Sequence, residues 1–239
     1  MSLRLTTRHY SIHLNEQLAQ ITVMCPLCAF IATNAAELSA CNVATSFRKL
    51  FQLSSTPADK ERWQQAVGIL EEAATRLMQK FQPQQFANIL HITVKNGYET
   101  CLLPELERRA EAVAGEFKSQ EVSNTVWAYA TMGMKPGERL MGLLERRAEA
   151  TAGDFNSQNV ANTLWAYATM GRKPGERLMG LLERWAEVTA GEFQVAGVAQ
   201  MLVWFRFSGR PWLAFLRVPT TTNPEFTSTG KRKHADVDT

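Results

Sequence analysis

Four histidines (His9, His13, His91, His234) and four cysteines (Cys25, Cys28, Cys41, Cys101) are the side chains able to act as bases, nucleophiles or metal ligands near neutral pH. Their spacing argues against each role. No cysteine has a histidine at a recurring offset, and Cys25-x-x-Cys28 supplies half a zinc site without a second ligand pair. Neither a phosphate-binding glycine loop nor a paired-carboxylate motif is visible. The expectation is a protein that is not an enzyme, holds no metal or cofactor, takes no small-molecule substrate and keeps its thiols reduced. Any function then rests on side chains that bind, and these have to be placed by the elements that carry them.

Those elements are set by an internal repeat. Residues 117–154 are followed directly by 155–192, a period of 38 residues, and 30 aligned positions are identical while eight differ. Residues 81–116 form a copy two residues shorter, keeping Phe81, Gln84, Ala87, Asn88, Leu90 and Gly97 in register, and ending in the same Glu-Arg-Arg-Ala-Glu run. A more degenerate copy begins at Leu38 and spans 38–80, with an insertion near Thr56–Arg62, and 193–217 matches the first half of a unit before Pro211 and Pro219. Within each unit the first half carries apolar residues at helical spacing (Val122, Val126, Tyr129, Ala130), with Ser119 expected as N-cap and Gly133 as the stop. The second half opens at Pro136 and carries Leu140, Leu143, Leu144 and Ala148 on one face before Gly153. Two helices of about 14 and 16 residues joined by a Gly-x-x-Pro turn make a hairpin, and hairpins at fixed period stack side by side. The fold expected is all-α, an α-solenoid of stacked antiparallel helical hairpins, over 38–217.

Composition limits the partner. A 45% hydrophobic content is enough for a core across 239 residues, the net charge is only +3, and each of the two near-identical units sums to zero. A polyanion would therefore need cations sorted onto one surface. Lys135, Arg139, Arg172, Lys173 and Arg177 lie at the turns between first and second helices, which stacking brings into one row, a candidate phosphate track. Three of the eight differences, Lys118/Asn156, Glu121/Asn159 and Ser123/Ala161, cluster at the start of the first helix, where successive units would offer different donor and acceptor sets to successive bases. Lys118, Glu121, Ser123, Asn156 and Asn159 are accordingly candidate readout residues. Trp127 and Trp165 are expected to be buried between hairpins rather than offered to bases, with His91 packing at the same position. Asn88, Asn124 and Asn162 are expected to make a recurring hydrogen bond between units.

The string Gln-x-Val-Ala-Asn-Thr-Leu-Trp-Ala-Tyr-Ala-Thr-Met-Gly-x-Lys-Pro at 158–174, and its variant at 120–136, resembles the octotricopeptide repeat over roughly residues 81–209. The array is also similar to the repeat region of FAST-kinase-like mitochondrial RNA regulators. The resemblance implies binding of a single-stranded organellar transcript in the chloroplast or mitochondrion, in RNA stabilisation, processing or translation. The chain has few units and no recognisable C-terminal RAP domain. A second reading stands beside it: a scaffold that holds another protein, itself a repeat protein, and no nucleic acid.

Residues 1–37 read as an N-terminal segment apart from the repeats, with Arg4, Arg8, His9 and His13 and no acid before Glu16, the composition of a transit peptide or of an ordinary frayed terminus. The apolar stretch from Ile21 to Ala32 contains Pro26 and is shorter than the about 20 residues a membrane span needs, so no membrane association is expected. Residues 218–239 are expected to form a disordered polar tail.

Overall fold

A computed structural model describes residues 7–53, 57–188 and 194–209, and these form eleven α-helices, with short 3-10 turns and no strand among the described residues. The helices pair in chain order: α1 (Thr7–Gln20) with α2 (Met24–Asn34), α3 (Ala40–Gln52) with α4 (Lys60–Leu77), α5 (Pro83–Lys95) with α6 (Leu103–Val113), α7 (Ser119–Thr131) with α8 (Glu138–Ala150), and α9 (Ser157–Thr169) with α10 (Glu176–Val188). The last, α11 (Val195–Ser208), packs on α9. First helices stack on first helices and second helices on second, giving two layers of an α-solenoid. From α3 onward the first helices pack against one another more extensively than the second helices do, and the side of their row away from the second-helix layer is its inner face.

Residues 38–80, 81–116, 117–154 and 155–192 each hold one hairpin, α3–α4 through α9–α10. Residues 7–34 form a further hairpin at the head of the array. Leu14, Leu18, Leu27 and Ile31 are buried there, and Asn42 donates from Nδ2 to the Ser11 carbonyl and to Asn15 Oδ1, each at 2.9 Å. Lys49 Nζ caps the end of α1 through the Ala19 and Ile21 carbonyls at 2.9 and 2.7 Å. The degenerate sequence of this hairpin hides its period, while its apolar spacing still supplies a buried face. No described helix is long and apolar enough to cross a membrane. Residues 1–6, the end of the partial unit at 210–217 and the tail 218–239 lie outside the described residues.

Helix boundaries follow local chemistry. Gly97, Gly133, Gly171 and Gly209 adopt φ of 65°, 68°, 65° and 70°, the left-handed conformation that ends a helix. At Gly133 the Met134 amide donates to the Tyr129 carbonyl and the Gly133 amide to the Ala130 carbonyl, both at 3.0 Å, closing a Schellman motif. Ser119 is the first helical residue and not the N-cap, a place taken by Lys118, whose backbone amide donates to Glu121 Oε2 at 2.6 Å. The Ser119 hydroxyl instead donates to the Asp154 carbonyl at 3.0 Å. Pro136 also lies just outside its helix, with Gly137 as the N-cap of α8.

A glutamate of each second helix holds the next unit. Glu107 accepts from the Tyr129 hydroxyl at 2.9 Å and from the Gly137 amide at 2.8 Å, and Glu145 repeats this with the Tyr167 hydroxyl at 3.5 Å and the Gly175 amide. Glu71, at the corresponding position one unit earlier, accepts from Thr100 Oγ1 at 2.8 Å. Burial and then the Glu107 carboxylate hold the Tyr129 hydroxyl well above the ordinary tyrosine range. A Cβ at residue 137 would stand 2.6 Å from Glu107 Oε1, so glycine allows the close approach. Glu107→Ala should lower unfolding free energy by about 2 kcal/mol, since a buried hydroxyl loses a charged acceptor. Urea denaturation of that variant with and without Tyr129→Phe checks it, because removing both partners should recover part of the loss.

Candidate nucleic-acid interface

From α3 to α9 each first helix packs against its two neighbours in the row and against the second-helix layer. In α7 the face left over carries Gln120, Asn124, Trp127 and Thr131, and in α9 it carries Gln158, Trp165 and Thr169 with Asn162 buried between them. The 4-3-4 spacing keeps all four side chains on one helical face. The same positions hold Gln84, Asn88, His91 and Lys95 in α5, and Cys41, Thr45, Arg48 and Gln52 in α3. In α11 they hold Ala196, Gln200, Val203 and Phe207. No carboxylate occurs at any of these positions. The inner face of the array is therefore a ladder of amides, hydroxyls and aromatic rings, with Arg48 and Lys95 as its cations.

Trp127 and Trp165 are half-buried in this ladder, and neither indole N–H has a partner among the described residues. The rings run in a row, with His91 4.8 Å from Trp127 and Trp127 6.3 Å from Trp165 between ring centroids. Each indole packs against the core and is only partly covered, because nothing among the described residues packs over the inner surface of the row. His91 packs in the tryptophan row as expected, and burial, then Lys95, pull its pKa below the ordinary histidine value. The asparagines are split. Asn162 Oδ1 accepts from Gln158 Nε2 at 2.7 Å and from Gln200 Nε2 of the next unit at 2.9 Å, the inter-unit bond expected. Asn88 is exposed and Asn124 half-buried, and neither side chain has a hydrogen-bond partner among the described residues.

The readout residues expected at the start of the first helix lie to one side of this ladder. Lys118 and Asn156 are N-cap residues, and Asn156 Oδ1 accepts from the Asn159 amide at 2.9 Å. Glu121 accepts the Lys118 amide, so its carboxylate serves the cap. Ser123 and Asn159 are buried, at 1% and 4% exposure, whereas Lys118 and Asn156 are exposed.

The cation row at the opposite end of the helices is largely neutralised. Arg139 pairs with Glu111 at 3.2 Å, Arg177 with Glu149 at 3.5 Å, and Arg172 forms two bonds to Glu138 at 2.7 and 2.9 Å. Each pair joins two successive units. The Arg172 guanidinium, by hydrogen bond and charge, holds the Glu138 carboxyl below its ordinary value. Lys135 and Lys173 are exposed, with no ion-pair partner among the described residues. A 13-residue helix is about 20 Å long, so the two sets of predicted residues sit at opposite edges and the ladder lies between them.

Among the described residues no group of three or more histidine, cysteine, aspartate or glutamate side chains could hold a metal ion. Cys28 is buried in α2 while Cys25, Cys41 and Cys101 are exposed, and all four are free thiols.

The ladder has a signal in the sequence. Glutamine, asparagine, a ring and a polar residue recur at the same offsets in units 81–116, 117–154 and 155–192, with no acid among them. No curated protein matches the chain. A family profile, that of the RNA-editing substrate-binding complex 6 protein, matches residues 18–204, which takes in the N-terminal hairpin from within α1 and runs through the stacked units into α11. Spanning well over half of the sequence and nearly the whole helical array, that match makes the chain a member of the RNA-editing substrate-binding complex 6 protein family.

Proposed function

We propose that the inner face of this solenoid binds single-stranded RNA with base selectivity, and that the chain acts without catalysis as the RNA-holding part of an organellar RNA-editing assembly of mitochondrial type. The observation that carries the reading is the recurrence of an acid-free quartet of amide, amide, ring and polar side chain on successive inner helices. Rings offer faces on which unpaired bases stack, amides offer a donor and an acceptor to base edges, and the absence of carboxylates removes repulsion from phosphates. The family description supports an RNA-editing partner, and the resemblance to octotricopeptide repeats supports a single-stranded transcript.

The charge distribution sets a specific expectation. With Arg48 and Lys95 as the ladder's cations and the turn arginines already paired, log K against log salt should have a shallow slope of about −1 to −2, near −0.7 per phosphate neutralised. Crosslinking and anisotropy titration of the purified chain with organellar RNA across a salt series checks this. A transcript that never binds, even at low salt, would remove the proposal, and a steep slope would move the contact to other cations.

A protein partner has its own support. Val198, Leu202, Val203 and Phe207 of α11 are 36–50% exposed at the end of the array, which favours a helical-repeat protein stacking there within the same assembly.

A further inference from the structure

Among the described residues the second-helix layer stops at α10, and an open groove lies there. Earlier in the array each second helix carries the next unit on its far side: α10 packs on α8, and Gly175 and Arg172 of the turn before α10 bond to Glu145 and Glu138 of α8. On the far side of α10 itself is a cavity of about 350 Å³, with Pro174, Glu176, Met179 and Gly180 on one wall and Trp204 of α11 on the other. One unit earlier the same places are Pro136, Glu138, Met141 and Gly142. Met141 is 1% exposed against 8% for Met179, Gly142 is half-buried where Gly180 is exposed, and Glu138 holds Arg172 whereas Glu176 has no ion-pair partner among the described residues.

We infer that the occupant of this groove is residues 210–217 of the same chain, Arg-Pro-Trp-Leu-Ala-Phe-Leu-Arg, seated on α10 as 172–179 is seated on α8. This segment follows α11 directly, lies outside the described residues and stands one 38-residue period after 172–179. Gly209 ends α11 at φ 70° as Gly171 ends α9 at φ 65°, so the chain leaves both helices by the same left-handed stop. Arg210 then takes the place of Arg172 and reaches Glu176 as Arg172 reaches Glu138. Leu216 is the counterpart of Leu140 and Leu178, both fully buried.

The differences from the earlier units fit one another. Phe205 stands where Tyr129 and Tyr167 stand and has no hydroxyl to give a glutamate. Leu213 stands where Gly137 and Gly175 stand, and at both of those a Cβ would come 2.6 Å from a glutamate Oε1. Glu183 therefore does not clasp residue 213 as Glu145 clasps Gly175. Trp212, Leu213, Phe215 and Leu216 supply instead an apolar filling for a groove walled by Met179 and Trp204. An arginine at each end of that filling suits a rim that carries Glu176 and Glu183 against Lys173. With the groove filled, the apolar surface left for another protein at this end is the α11 face of Val198, Leu202, Val203 and Phe207.

Photo-crosslinking in the full chain tests this, with p-benzoylphenylalanine, an aromatic side chain of comparable bulk, in place of Trp212. Irradiation should join residue 212 to Met179, to its neighbours on α10 or to Trp204 within one chain, at a yield that is constant across a dilution series. Gly180→Leu should cut that yield several-fold with circular dichroism unchanged, because a Cβ at 180 meets nothing within 4 Å and the longer side chain enters the groove. A crosslink elsewhere in the chain, no crosslink at all, or a yield indifferent to Gly180→Leu would overturn the inference. Joining of two chains would overturn it as well, by making a second copy the occupant.

Discussion

Replacing Trp127 and Trp165 together by leucine should weaken binding of single-stranded RNA by about 30-fold or more, since each stacked base contributes about 1 to 3 kcal/mol. Leucine keeps an apolar side chain against the half of each site that is buried and removes the ring face on the other half, so the change falls on ligand contact more than on packing. The melting temperature should move by a few degrees, and the helical circular dichroism should be retained. Neutralising Lys135 and Lys173 with glutamine in the otherwise unchanged chain is the matching control, expected to lower affinity only a few-fold. If the lysine pair had the larger effect, the ligand would lie along the turn edge and not along the tryptophan row. An RNA affinity unchanged in both variants would leave the inner face without a nucleic-acid role.

The largest loss of stability is expected at Phe117. Its ring is fully buried at the junction of two units, 5.8 Å from Phe86 in an edge-to-face contact, and its carbonyl accepts the Nε of Arg147. Phe117→Ala should cost about 3 to 5 kcal/mol, because the interior cannot collapse around the missing ring. The consequence extends beyond the site. A solenoid is stable through interfaces between neighbours, so weakening the junction between 81–116 and 117–154 should divide the array into two blocks that unfold separately. Urea denaturation followed by tryptophan fluorescence and by circular dichroism should then give two midpoints where the parent chain gives one. Coincident transitions at lower urea would mean that the remaining contacts at the junction keep the blocks coupled.

Pairing between units carries part of this cohesion. The same spacing links Glu107 to Gly137 and Glu145 to Gly175, and Glu111 to Arg139 and Glu149 to Arg177. The arginines of the turn edge therefore serve adhesion between hairpins. Exposed pairs of this kind contribute little individually, commonly below about 1 kcal/mol. Their regular placement nevertheless withdraws positive charge from the surface that a sequence-level count had offered to phosphates.

The amino-acid sequence by itself determined the period, the hairpin in each unit, the glycines that end the first helices and the all-helical class. These follow from local chemistry: apolar residues three and four apart select a helix, glycine alone takes the left-handed stop without strain, and near-identity at 38 residues demands the same element twice. The tertiary structure decided which polar residues are exposed and which are paired. Trp127 reads as core from its neighbours in sequence, yet an indole is covered only where another helix lies over it, and among the described residues the inner side of the row has none. Ser123 and Asn159 read as surface from their polarity, yet stacking of the next unit buries them. Arg139 and Arg177 read as free cations until the fold brings a glutamate from the preceding unit within reach. Exposure and pairing depend on contacts between units, and those exist only once the hairpins have stacked.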